Sequence, residues 1–157
     1  MDSWSDQEIH LEQAMPLIRE HLASGQTVRF GPRGISMRPL LRQGKDKVVL
    51  SAVTGRLKKY DLPLYQRDDG KYILHRIVAV GETYTCIGDN QYELEYGVRD
   101  DQIIAVVSAF DRDGHEFSAS NVLYRIYCCV WHWLRPVKRI LGKLRRCIRG
   151  VIARLKR

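Results

Sequence analysis

The chain has 157 residues, with 26 Lys and Arg against 18 Asp and Glu, a formal net charge of +8 and 45% hydrophobic residues. That length suits one domain with a real core plus appendages. All 18 acidic residues lie at or before Glu116 together with 15 of the basic ones, so the body carries −3 and the high pI belongs to a C-terminal tail.

The four cysteines, Cys86, Cys128, Cys129 and Cys147, show neither a C-x-x-C step nor a partnering histidine spacing. This argues against a zinc site or a disulfide framework, and free thiols suit a reducing compartment. No metal and no cofactor is expected. The first residues, Met1-Asp2-Ser3-Trp4-Ser5-Asp6, are acidic and polar and do not read as a signal peptide.

In chain order, Ser5-Asp6-Gln7-Glu8 reads as a capping box ahead of Ile9, Leu17, Ile18 and Leu22. Pro16 predicts a kink or two short turns, and Ser24-Gly25 a helix stop. Residues 1–26 are thus an N-terminal helical segment. Strands are predicted over 27–30, 47–51, 62–66, 71–80, 83–87 and 102–110, with Asp68-Asp69-Gly70 as a hairpin turn. Residues 27–118 therefore form a mainly β body. From 119 to 157, apolar residues keep helical spacing among 11 Lys and Arg and no acid. Pro136 should kink this tail, and its longest uncharged run, 126–134, is nine residues. A simple membrane span needs about 20. A basic amphipathic helix lying on a membrane surface is the favoured reading. A helix docked on its own body and a nucleic-acid contact are the alternatives, the last not expected.

Three short motifs carry possible chemistry. Arg33-Gly34-Ile35-Ser36-Met37-Arg38-Pro39 holds a serine between a glycine that frees the backbone and a proline that ends a strand. That corner can stand at a cleft, although serine beside Gly and Pro is also an ordinary turn residue. His75-Arg76 lies inside a β-rich run, and Gly88-Asp89-Asn90 follows. A serine hydroxyl needs a base to take its proton, and an imidazole with a pKa of about 6.5 is mostly neutral at pH 7.

In this order the three motifs resemble the signal peptidase I / LexA-like clan of serine peptidases, over roughly residues 27–110. The resemblance implies a LexA/signal-peptidase-like β body with Ser36 as nucleophile and His75 as base, as in the clan's histidine branch. Met37, Pro39, Arg76, Gly88 and Asn90 are motif support. Lys71, four residues before His75, is a fallback base. Asp89 is the first choice for an acid that either orients His75 or braces the structure, with Asp100 or Asp101 as alternative orienting acids that read equally well as a solvated turn. The oxyanion is expected to face the backbone at Gly34 and Ser36, because some relatives have a serine where this chain has Gly34. A second departure is Tyr60-Asp61, where relatives usually have Gly-Asp.

The implied activity is a serine endopeptidase cutting a signal- or leader-like peptide. Such peptidases usually act outside the cytoplasmic membrane, but the 11 positive charges of the tail favour a cytoplasmic location, peripheral on the membrane or else anchored through the C-terminal segment. A non-catalytic peptide- or membrane-binding module on the same fold is the alternative. A LexA-like self-cleaving regulator is less favoured, because the chain has no Ala-Gly or Cys-Gly dipeptide and little room for a DNA-binding domain.

Overall fold

The computed structural model describes residues 11–137 and Ile140. The capping box at Ser5 and the tail beyond Ile140 lie outside the described residues.

Helix α1 (Leu11–Ala23) buries Met15, Ile18 and Leu22, one face at helical spacing. It runs through Pro16 as one element, where a kink or two turns were expected. Its end follows the chemistry of Ser24-Gly25: Gly25 takes φ +76° and donates to Leu22 O, and Gln26 N donates to His21 O at 2.9 Å. This pair of bonds satisfies carbonyls the last turn would leave open.

The body is mainly β, in two antiparallel sheets. In the larger, β1 (Val28–Phe30), β2 (Lys47–Ser51), β8 (Ile103–Arg112), β3 (Pro63–Gln66) and β4 (Tyr72–Leu74) lie in that order, and β9 (His115–Ser118) also pairs with β8. The ten-residue β8 bonds β3 along its first half and β9 along its second. The smaller sheet is β5 (Arg76–Val80), β6 (Tyr84–Ile87) and β7 (Glu95–Val98). Pro63, with no N–H to give, opens β3 rather than interrupting it. Leu50, Leu64, Phe110 and Met37 pack with the α1 residues in one core cluster. Tyr65, Ile77, Tyr84 and Val98 make a second.

The structure departs from the expected strands in three ways. The single strand over 71–80 is two, β4 and β5, in different sheets, and His75 sits at the break. Strand β7 carries Glu95 and Gly97 at a sheet edge, without the apolar alternation that marks a strand. Strand β9 continues past the Asp113-Gly114 turn because Phe117 stacks on Phe110 at 5.1 Å. Tyr60 has φ +78°, a left-handed conformation that glycine adopts without strain.

Helix α2 (Val122–Trp133) begins at Asn121, whose side chain accepts from Leu123 N. Its inner face docks on the body through the buried Tyr124 and Cys128. This first part of the tail is therefore a helix packed on its own domain. Among the described residues no helix is long and apolar enough to cross a membrane.

Candidate active site

Ser36 follows β1 in a turn anchored by the buried side chains of Met37, Leu40 and Leu41. Gly34 takes φ +91°, which lets the chain reverse just ahead of the serine. Pro39 follows Arg38 through a cis peptide bond. The loop after β6 closes over this turn. Asn90 N donates to Ser36 O at 2.7 Å, and Asn90 Nδ2 donates to Ile35 O at 3.2 Å.

Gly88 sits where no side chain fits. A Cβ there would lie 3.1 Å from Ser36 Cβ and 3.1 Å from His75 Nε2. Ser36 Cβ and the imidazole Nε2 are therefore no further apart than twice that distance. Both residues line one cavity of about 120 Å³, together with Pro32, Arg33 and Tyr72.

His75 is 3% exposed. Its Nδ1 faces Tyr65 Oη at 3.4 Å and Glu95 Oε2 at 3.5 Å, electrostatic contacts at the outer limit of hydrogen bonding. Tyr65 donates its proton to Glu95 Oε2 at 2.6 Å, and Arg67 Nη2 donates to the same oxygen at 2.6 Å. Burial raises the Glu95 carboxyl, but the Arg67 and Tyr65 hydrogen bonds outweigh it and hold Glu95 below the usual carboxylate range. An ionised Glu95 beside Nδ1 favours the tautomer protonated there, which leaves the lone pair on Nε2. Burial is also the main reason the His75 pKa falls to about 4, against the opposing pull of Glu95. The imidazole is neutral at pH 7. The neighbouring Cys86 thiol is pushed up to about 12 by burial and then by Glu95, so it stays protonated.

The carboxylate at His75 is thus Glu95, where Asp89, Asp100 or Asp101 was expected. Asp89 is buried behind the site in a two-pronged pair with Arg76, Nε and Nη2 donating at 2.8 Å each. Tyr127 Oη donates to Asp89 Oδ2 at 2.9 Å, and Trp131 Nε1 to Asp89 O at 2.8 Å. Arg76 Nη1 also donates to Tyr124 Oη at 2.6 Å. Burial opposes the charge of Arg76, yet Asp89 keeps its pKa well above the ordinary value. The motif pair Arg76 and Asp89 therefore fastens α2 to the loop that carries Gly88 and Asn90. Asp100 accepts from Tyr84, and Asp101 pairs with Arg99 at 3.0 Å, both at the exposed turn before β8.

Two further expectations are corrected. The Gly34 N–H donates to Gln43 Oε1 at 3.0 Å, so it is engaged within its own loop and does not face an oxyanion. Lys71 does not share the cavity of Ser36; its amine pairs with Asp69 at 3.1 Å in the β3–β4 turn. Glu95, Tyr65 and Arg67 were not singled out from the sequence. The available signal was two glutamates, Glu93 and Glu95, just after the Gly88-Asp89-Asn90 box. Comparison with protein-family models, with curated proteins and with solved structures finds no match.

Proposed function

We propose that this chain is a serine endopeptidase of the signal peptidase I / LexA-like clan, with its two sheets arranged as in that fold. The observation that carries the reading is the cavity that Ser36 and His75 both line, with Gly88 so close that an added Cβ would meet both residues. As Ser36 Oγ bonds to a peptide carbonyl carbon, its proton passes to His75 Nε2. Negative charge collects on the carbonyl oxygen, for which the Ser36 N–H is the nearest backbone donor. When the C–N bond breaks, His75 returns the proton to the leaving amine. A water then gives its proton to His75 and its oxygen to the acyl carbon, and Ser36 is restored. Glu95 steadies the imidazolium formed in between. Asp89 and Arg76 hold the closing loop and take no part in proton transfer.

The substrate is an extended peptide segment, of the signal or leader kind. Strand β4 is the last in the larger sheet and leaves one edge unpaired among the described residues. A groove of about 380 Å³ runs beside it between Phe30 and Tyr72 and shares Pro32, Arg33 and Tyr72 with the serine cavity. A peptide added to that edge gains main-chain hydrogen bonds and delivers a carbonyl to Ser36.

The test is mass spectrometry of a mixed peptide library after incubation with the full chain. Wild type should cut a subset of peptides, and Ser36→Ala should lower the rate at least about a thousandfold. Equal cutting by Ser36→Ala overturns the mechanism. The depressed pKa of His75 weakens it as a base and favours a second reading, a peptide-binding module on the same edge. Peptide retention by wild type with no cutting would select it.

A further inference from the structure

Helix α2 has two apolar faces, and among the described residues the body covers one of them. The inner face, Tyr124, Tyr127, Cys128 and Trp131, packs on the body and grips Asp89. The outer face carries Leu123, Ile126, Val130 and Trp133, and the same alternation of three and four residues reaches Val137 and Ile140. Leu123 is 75%, Trp133 83% and Ile140 66% exposed. A helix face turned to water is normally polar, and a continuous apolar stripe marks an interaction site. In sequence the spacing goes on through Leu144, Cys147 and Val151.

The charges that the sequence gives this segment argue for what covers the stripe. Every charged side chain from Asn121 to the end is Lys or Arg, 11 in all, while the body carries −3. A second copy would bring another 11 positive charges and no acid in this segment to offset them, so pairing of tails is opposed. A nucleic acid would answer the charge but leave the stripe wet. An anionic lipid surface answers both: the stripe enters the headgroup–acyl boundary, Trp133 sits at the interface, and Lys and Arg meet the phosphates. We infer that the outer face of α2 and the basic segment after it form a docking surface for an anionic lipid bilayer, with the net-negative body held on the water side. This stands apart from the peptidase reading, since none of its residues lines the serine cavity.

The experiment is co-sedimentation of the full chain with vesicles of phosphatidylcholine alone and of phosphatidylcholine mixed with phosphatidylglycerol. Wild type should bind the mixed vesicles tightly, the neutral ones weakly, and lose affinity as salt rises. The variant Ile126→Ser/Val130→Ser/Trp133→Ser should bind mixed vesicles at least about tenfold more weakly. These side chains are exposed, so circular dichroism and melting should match wild type; the single variant Trp133→Ala, with a smaller loss, serves if the triple variant does not. Ser36→Ala should bind as wild type does. The proposal is overturned by equal binding of the stripe variants, by no preference for the anionic vesicles, by a wild-type dimer that the stripe variants dissolve without lipid, or by binding to nucleic acid alone.

Discussion

Glu95 Oε2 stands 3.5 Å from Nδ1 of His75 and accepts a hydrogen bond from Tyr65 Oη at 2.6 Å, so one carboxylate faces both the imidazole and the phenol. Burial lowers the His75 pKa from its ordinary 6.5 to about 4 in the folded chain. The proposed proton transfer needs the neutral ring, so kcat/KM should stay level through pH 6.5 and fall only as the pH approaches 4. Stability moves in the same direction. Between those values the unfolded chain binds the proton that the folded chain refuses, so the histidine contribution is fully present above about 6.5 and is lost as pH falls toward 4. Urea midpoints across that window should drop, and His75→Gln should flatten much of the slope. An acid limb near 6.5 would contradict this burial.

Replacing Glu95 separates orientation from packing. Glu95 raises the His75 pKa while Arg67 lowers it, so Glu95→Gln should push the acid limb below that of wild type. Because the Nδ1 contacts are long, the rate should fall by about one to two orders of magnitude, less than where such a carboxylate is tightly bonded. A pH–rate profile is the check. A Glu95 that merely braces Arg67 would leave the limb in place.

Gly88→Ala tests the closure over the serine. The added Cβ would meet Ser36 O at 2.7 Å, a backbone atom that cannot turn aside. Overpacking of this kind costs about 1–3 kcal/mol, and the loop must part from the serine turn. Hydrolysis should fall steeply together with the melting temperature. Gly81→Ala is the control: its nearest neighbour is Thr83 O at 3.7 Å, and stability should stay within about 0.5 kcal/mol.

The parts legible in the sequence are those set by local chemistry. The stop at Gly25, the hairpin at Gly70, Pro63 at the head of a strand and the corner at Gly34 need only the backbone rules of a few residues. The break at His75 was hidden because Tyr72 to Val78 is uniformly β-favouring, and nothing local says that one half pairs with β3 and the other with β6. Glu95 was hidden for a related reason. It reaches Tyr65 and Arg67 across about 30 positions, from a short edge strand, Glu95–Val98, that shows no apolar alternation. The role of Asp89 stayed open between orienting and structural because a carboxylate near a histidine motif suits either. Only the fold decides that Arg76, the next residue, takes it.

Asp89→Asn and Glu95→Gln should therefore fail in opposite ways. Asp89 is 4% and Arg76 2% exposed, and removing one charge leaves the other buried and unpaired. Such a break costs about 3–5 kcal/mol, and the loss should appear in the urea midpoint. Among the influences on the His75 pKa, Asp89 comes after burial, Glu95 and Arg67, so the acid limb should barely move. Tyr127→Phe removes one hydrogen bond to Asp89 and should cost about 1 kcal/mol with the same unmoved limb. Glu95→Gln should do the reverse, displacing the limb with a smaller loss of stability. If Asp89→Asn displaced the limb as far as Glu95→Gln, Asp89 would be the carboxylate that governs His75, and the division of labour between the two acids would be wrong.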